Sequence, residues 1–325
     1  MCEVKKEENN DIKEGFLHCK QCKRSYPIKE GVPQLLYVLN HGMNTVQNSF
    51  STQWEIHNNY NKHNAKEKIQ TWGLEAQERK KLFLRQMEVS EKELKGKWLL
   101  DAGSGNGLLT IALGEFDLNV VGLDLSDGIF FAARRNTNPN VHFVQGDVMH
   151  PPFKASFDYV FSCGVLHHTY NTRKAFDGIS KCVKPKGKIW VWLYLKISQI
   201  PCKNWIYENK PKLYIYDWLN KFISRLPQKF QDTILLAAIP VYLLKQEIEI
   251  ITGLKKFDPT NQYLRRREHW KDKLVMLHDN FTPRYAFRHT PKEVAVWFKE
   301  NGFSKVCYNY KEERGGFGMI AIRAT

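Results

Sequence analysis

Long apolar runs are missing from this chain. The longest, TILLAAIPVYLL at 233–244, contains Pro240 and falls short of the roughly 20 residues that a membrane-spanning helix needs. The amino terminus, MCEVKKEENNDIKEG, has charge but no apolar block behind it. No secretory signal is therefore expected, and the sequence points to the cytoplasm. Cysteine is also scarce: seven in 325 residues do not make a disulfide framework. Cys163, Cys182, Cys202 and Cys307 lie in apolar or mixed segments, where a small buried thiol is ordinary. Internal repeats and low-complexity tracts are absent.

Positive charge is what the chain has in excess. Lys and Arg number 49 against 34 Asp and Glu, a net +15. That balance permits attraction to nucleic acid, to an anionic membrane surface or to a phosphorylated substrate, and does not choose among them. The 42% hydrophobic content suits a globular protein with a sizeable core.

Along the chain, residues 1–40 form a short unit ending in YPIKEGVPQLL, and 41–95 read as polar and helical, with Trp54 and Trp72 as anchors. From 96 to 195, short apolar strands (KWLLDAG, NVVGLDLS, VHFVQGD, FDYVFSCG, GKIWVWLYL) alternate with helical stretches. That alternation predicts an α/β fold with a doubly wound parallel sheet covered on both faces. Residues 196–280 break the rhythm as a helical insertion. In 281–325 a helix capped by Thr290 and Pro291 precedes two strands joined at ERGG, so the last strand pair is antiparallel.

Chemistry concentrates at WLLDAGSGNG, residues 98–107. Gly103, Gly105 and Gly107 allow backbone angles closed to other residues and leave room for a ligand beside the main chain. Asp124 ends the second strand, placed to accept from a ribose, and Asp147 ends the third, placed to accept from an exocyclic amine. Leu108 stands where a dinucleotide fingerprint would put its third glycine, and no Walker lysine follows. Asp101, just before the loop, would oppose a pyrophosphate but suits a cationic amine.

These stretches, with FVQGDVMHPPF and FDYVFSCGVLHHT, resemble the class I S-adenosylmethionine-dependent methyltransferases over about 96–195 and again over 281–325. The resemblance implies a Rossmann-like sheet of seven strands with a reversed last strand. It implies that the three loop glycines back the methionyl moiety, that Asp124 holds the ribose and Asp147 the adenine, with Leu125, Val148 and Ser162 beside them. One departure is KPKG at 184–187, where the family usually has Pro-Gly-Gly.

Transfer from a sulfonium is an in-line displacement, often with removal of a proton from the acceptor. His167, His168 and His289 are the candidate bases, since imidazole titrates near neutrality. Asp279, Arg284 and Tyr285, in LHDNFTPRYAFRHT, are the candidate acceptor-binding residues. No Asn-Pro-Pro-Tyr follows the fourth strand and no proline precedes Cys163, which disfavours methylation of nucleic-acid bases. The expected acceptor is an oxygen on a small molecule or glycan, with RNA methylation and a non-catalytic cofactor-binding regulator or scaffold as alternatives. NSFSTQWEIHNN at 48–59, together with the 277–290 cluster, resembles a narrower set of bacterial and archaeal methyltransferases. The aromatic-rich insertion, with Trp205, Tyr207, Tyr214, Tyr216 and Trp218, is expected to close over the acceptor as a lid.

LHCKQCKRSYPIKEGVPQLL resembles the second half of a zinc ribbon, as found in the small activator subunit of tRNA and protein methyltransferases. Cys19 and Cys22, with Cys2 upstream, are the candidate zinc ligands.

Overall fold

The computed structural model describes residues 2–8, 11–36, 41–63, 70–71, 74–200, 210–252, 270–311 and 315–325. Trp72, Cys202, Trp205 and Tyr207 lie outside the described residues. An antiparallel four-stranded sheet comes first: β1 (Cys2–Glu8), β2 (Asp11–His18), β3 (Ser25–Lys29) and β4 (Val32–Pro33). Helix α1 (His41–His63) follows, then the two-residue strands β5 (Gln70–Thr71) and β6 (Leu74–Glu75) and helices α2 (Ala76–Met87) and α3 (Glu91–Leu94). The alternating region is β7 (Trp98–Ala102), α4 (Leu108–Leu113), β8 (Asn119–Asp124), α5 (Gly128–Arg135), β9 (Val141–Gln145), β10 (Phe157–Cys163), α6 (Thr172–Ser180) and β11 (Val183–Tyr194). Helices α7 (Lys210–Ile223), α8 (Gln228–Ile251) and α9 (Trp270–Phe281) form the insertion, and α10 (Pro291–Glu300), β12 (Phe303–Lys311) and β13 (Gly316–Arg323) close the chain.

The large sheet has seven strands in the order β12-β13-β11-β10-β7-β8-β9. Every pairing is parallel except those of β13, which runs antiparallel to both β11 and β12. The doubly wound sheet with a reversed last strand is therefore present. Its strands read as apolar runs because both faces are covered: Leu99, Leu100 and Ala102 of β7 are all fully buried. One face packs on α6 and α10 through Phe176, Val294 and Phe298. The other packs on α2, α4 and α5 through Phe83, Leu113 and Ile129. Helix α10 starts as its sequence dictates: the Thr290 hydroxyl accepts from the Glu293 N–H at 3.1 Å, and the Glu293 carboxylate accepts from the Thr290 N–H.

The amino-terminal sheet covers the β9 edge of the large sheet. Leu35 N–H donates to the Gln145 carbonyl at 2.8 Å, and the two side-chain amides of Gln34 and Gln145 bond at 2.6 Å. Arg134 of α5 grips Glu30 with two nitrogens, and Val32 is fully buried in the sheet-side core. An exposed edge strand is a template for wrong pairing; here the chain covers it with its own start.

The candidate zinc ligands are only partly brought together. Cys19 and Cys22 share one turn, with the Cys22 N–H 3.5 Å from the Cys19 sulfur. Cys2, however, is carried along the outer strand opposite Leu17. Among the described residues no three His, Cys, Asp or Glu side chains gather as a metal site would require. His18 instead bonds Ser25 and Glu3. No helix among the described residues is long and apolar enough to cross a membrane.

Candidate functional site

The strand order reverses between β7 and β10, and ligand sites of such sheets lie outside the carboxyl ends there. The glycine loop leaves β7 at that point. Gly103, Gly105 and Gly107 all have positive φ, at 92°, 56° and 72°, so a side chain at any of them is strained. Their surroundings differ. A Cβ at Gly107 would meet Ala132 of α5 and the Phe143 ring, at Gly103 the Val165 side chain, and at Gly105 the Trp54 ring. Gly107 thus serves close helix packing, and Gly105 serves the approach of an aromatic ring from α1.

The three acids sit around this loop. Asp101 is buried and accepts from the Thr110 hydroxyl at 2.6 Å. Burial pushes its carboxyl up to about 6; the Thr110 hydrogen bond opposes the shift and the nearby Asp124 charge adds to it. Asp124 Oδ2 accepts from Gly105 N–H at 2.8 Å, and Oδ1 accepts from both the N–H and the hydroxyl of Ser126. Burial raises its pKa against those donors. Asp147 Oδ1 accepts from Met149 N–H, and Oδ2 lies 2.9 Å from the His150 ring. Ser162 donates to the Ala102 carbonyl, tying β10 to β7 at the mouth. Leu125 is half-buried after β8, and Val148 is buried in the core.

Helix α1 forms the wall that the sequence left unplaced. Phe50, Gln53, Trp54 and His57 fall on one helical face. The Phe50 ring meets His168 edge-on at 5.5 Å, Trp54 covers Gly105, and His57 Nδ1 lies 3.0 Å from the Asn106 amide. Among the described residues α1 covers the glycine loop, whereas the lid expectation for the insertion concerns the acceptor side. The insertion builds its own small core from Ile223, Leu235, Ile239, Leu274, Leu277 and Phe281. It reaches the site through Arg288, which was not singled out from the sequence. Arg288 binds Asp217 of α7 at 3.0 Å and stacks over Tyr194 at 5.3 Å.

The two histidines after β10 are both buried. His168 Nδ1–H donates to the Tyr285 carbonyl at 2.8 Å, which leaves Nε2 as the basic nitrogen. Burial brings His168 down to about 4 against that hydrogen bond. Burial also holds His167 well below its ordinary value, with His168 and His289 as further causes. Its ring packs on Tyr194 at 3.9 Å and on Trp192 at 5.7 Å. His289 Nδ1 bonds Glu293 at 3.0 Å, and its ring meets Trp297. Arg284 is exposed, whereas Asp279 and Tyr285 are half-buried. The structure thus gathers His167 and His168 with Tyr194, Tyr285 meets His168 through its backbone carbonyl while its ring stacks on Phe287, and His289 is turned toward α10 through Glu293 and Trp297.

Several buried polar atoms here have no hydrogen-bond partner among the described residues: both ring nitrogens of His167, both amide atoms of Gln53, Trp192 Nε1 and His289 Nε2. Each such atom costs about 1–3 kcal/mol when left unpaired. His167 and Trp192 are in ring contact with each other, whereas His289 lies against α10.

A methyltransferase-domain family model matches residues 100–191, and a Trm112p-like model matches residues 5–31. Phosphoethanolamine N-methyltransferase 2 of Caenorhabditis elegans is 34% identical over 108 residues, 31% of this chain and 24% of that protein. A ubiquinone biosynthesis O-methyltransferase of Hydrogenovibrio crunogenus is 28% identical over 115 residues, 34% of this chain and 45% of that protein. The match thus spans less than half the length of these curated relatives. Among solved structures, the magnesium protoporphyrin IX methyltransferase of Synechocystis PCC 6803 with bound SAH gives a TM-score of 0.49 at 14% identity, covering 87% of this chain and all of that one. With the reversed strand, the switch-point loop and its acids in place, the chain carries a class I S-adenosylmethionine-dependent methyltransferase domain behind a Trm112p-like segment.

Proposed function

We propose that the protein transfers a methyl group from S-adenosylmethionine to an oxygen of a small-molecule or glycan-type acceptor, in the cytoplasm. The observation that carries the acceptor reading is the set of unpartnered buried groups, Gln53, His167 and Trp192, around the aromatic faces of Phe50, Trp192 and Tyr194. An acceptor bearing several hydroxyls pairs these groups while stacking on the rings. The residues also fit the cofactor. Asp101 would face the ammonium group, Asp124 the ribose and Asp147 the adenine amine, and the cofactor supplies an electrophilic methyl on sulfur. His168 is neutral at pH 7 and accepts the acceptor's hydroxyl proton at Nε2 as the oxygen attacks.

Mass spectrometry after incubation with cofactor and a panel of hydroxylated acceptors tests the reaction. His168→Ala is expected to lower transfer by about 10²–10⁴-fold while leaving S-adenosylhomocysteine affinity nearly unchanged. Equal transfer by the variant would remove the histidine from the mechanism.

Cofactor binding should also depend on pH. With its pKa raised to about 6, Asp101 in the free protein is protonated below that value and ionised above it. A cation held there requires the ionised form. Affinity for S-adenosylhomocysteine should fall as pH drops through 6, by up to about tenfold per unit. Asp101→Asn should bind weakly and show a flat profile in calorimetry. A sloped profile in that variant would assign the titration to another group.

The Trm112p-like segment supports a second reading, an RNA acceptor, since sequences of this type occur in an activator subunit of tRNA methyltransferases. The net charge of +15 is compatible with it. Methylation of bulk tRNA, with binding that weakens steeply as salt rises, would favour that reading over a hydroxylated small molecule.

A further inference from the structure

Helices α7 and α8 turn an apolar face to solvent as well as one to the protein. On α7, Tyr214, Ile215, Trp218 and Phe222 recur at helical spacing and are each more than half exposed, and the Trp218 and Phe222 rings stack 6.2 Å apart. On α8 the outward stripe is Phe230, Ile234, Val241, Leu244, Ile248 and Ile251. The inward faces are accounted for by Ile223, Leu235 and Ile239, which pack on α9. The outward ones belong to no buried cluster among the described residues. Singly exposed apolar residues are ordinary, but two adjoining stripes form an interaction surface.

Charge selects the partner. Among the described side chains of α7, the connecting turn and α8, the exposed charged residues are Lys221, Arg225, Lys229 and Lys245, all basic. The four acids of these helices are half-buried and engaged: Asp217 is held by Arg288, Asp232 faces His278, Glu249 pairs with Lys245, and Glu247 has an interaction of its own. A second copy of the chain seated on this face would bring two sets of Lys221, Arg225 and Lys229 together.

We propose that the α7–α8 face docks on an anionic lipid bilayer, lying in the headgroup plane without crossing it. The apolar stripes enter the acyl boundary, and Lys221, Arg225 and Lys229 meet lipid phosphates. Trp218 and Tyr214 are side chains suited to that interface. The inner side of the same helices is tied to the site: Arg288 joins Asp217 to Tyr194, and Asn220 donates to the carbonyls of Asn280 and Pro283. Docking would hold the acceptor side of the domain at the membrane surface. The inference does not depend on which acceptor is methylated.

Vesicle co-sedimentation of the full chain tests it. Binding to phosphatidylcholine vesicles containing phosphatidylglycerol should exceed binding to phosphatidylcholine alone by roughly a hundredfold, and should weaken as salt rises. The pair Trp218→Glu with Leu244→Glu should abolish binding, as should the triple change Lys221→Glu, Arg225→Glu and Lys229→Glu. Because these side chains are exposed, helix content and S-adenosylhomocysteine affinity should stay at the parent level. No binding to either vesicle, or equal binding to both, overturns the proposal. A micromolar dimer that the Trp218/Leu244 pair converts to monomer also overturns it, and makes this face a contact between copies.

Discussion

Gly107→Val is expected to destabilise the protein by about 2–5 kcal/mol, read as a shift of the denaturant midpoint at unchanged slope. Two costs combine. A side chain at the left-handed φ of 72° costs about 1–2 kcal/mol. The new Cβ would also lie 2.4 Å from the Ala132 Cβ and 3.0 Å from the Phe143 ring. Ala132 is fully buried on α5 and Phe143 is buried on β9, so neither can retreat without moving a helix or a strand. Overpacking of that kind adds about 1–3 kcal/mol. Gly105→Ala is the informative contrast. It carries a similar backbone strain at φ 56°, but its clash is with the Trp54 ring on α1, outside the large sheet. Its expected loss is about 1–2 kcal/mol, and it should disturb ligand binding more than folding. Equal destabilisation by the two variants would show that the loop glycines share one role.

That difference between neighbouring glycines shows what the sequence made legible and what it hid. The D-x-G-x-G-x-G spacing placed the loop, because glycine's conformational freedom is local and its positions are printed in the chain. What each glycine faces is not local. Trp54 lies far upstream of Gly105, and Phe143 far downstream of Gly107. The sheet was legible because β7 through β11 are covered on both faces and so read as unbroken apolar runs. The reversed last strand was legible from the short ERGG connection. Helix α1 was harder. Its sequence is rich in Asn, Gln and His, which suggests a solvated helix, yet Ser49, Gln53, His57 and Asn58 are all buried. Ser49 bonds Thr282 and His57 bonds Asn106, tertiary pairings that periodicity of apolar residues cannot report. The resemblance carried by Phe50 and Trp54 was the one available signal. The docking of the amino-terminal sheet was hidden for a related reason: besides the Leu35–Gln145 backbone bond, the pairs Gln34–Gln145 and Glu30–Arg134 join residues 111 and 104 positions apart.

Asp124→Ala should lower S-adenosylhomocysteine affinity by at least about a hundredfold, more than the loss of a ligand contact alone predicts. A hydrogen bond to a charged group contributes about 1.5–3 kcal/mol, and a ribose hydroxyl accounts for one or two of these. The carboxylate does further work in the protein: Oδ2 holds the Gly105 N–H, and Oδ1 holds the N–H and hydroxyl of Ser126. It thereby fixes the glycine loop against the turn that opens α5. Three of its roughly four acceptor positions are occupied by these donors. One remains for a ribose hydroxyl, and the Ser126 hydroxyl must turn away to free a second. Asp124→Asn separates the two roles. It keeps one oxygen for Ser126 but aims an amide N–H₂ at the Gly105 N–H, two donors face to face. If the carboxylate acted only on the ligand, the Asn variant would bind several-fold better than the Ala variant, since an amide still serves a ribose. If it also positions the loop, the Asn variant should be as weak as the Ala variant, and hydrogen exchange at Gly105 should quicken in both without ligand. Slow exchange at Gly105 in both variants, with Asn binding clearly better than Ala, would confine Asp124 to ribose recognition.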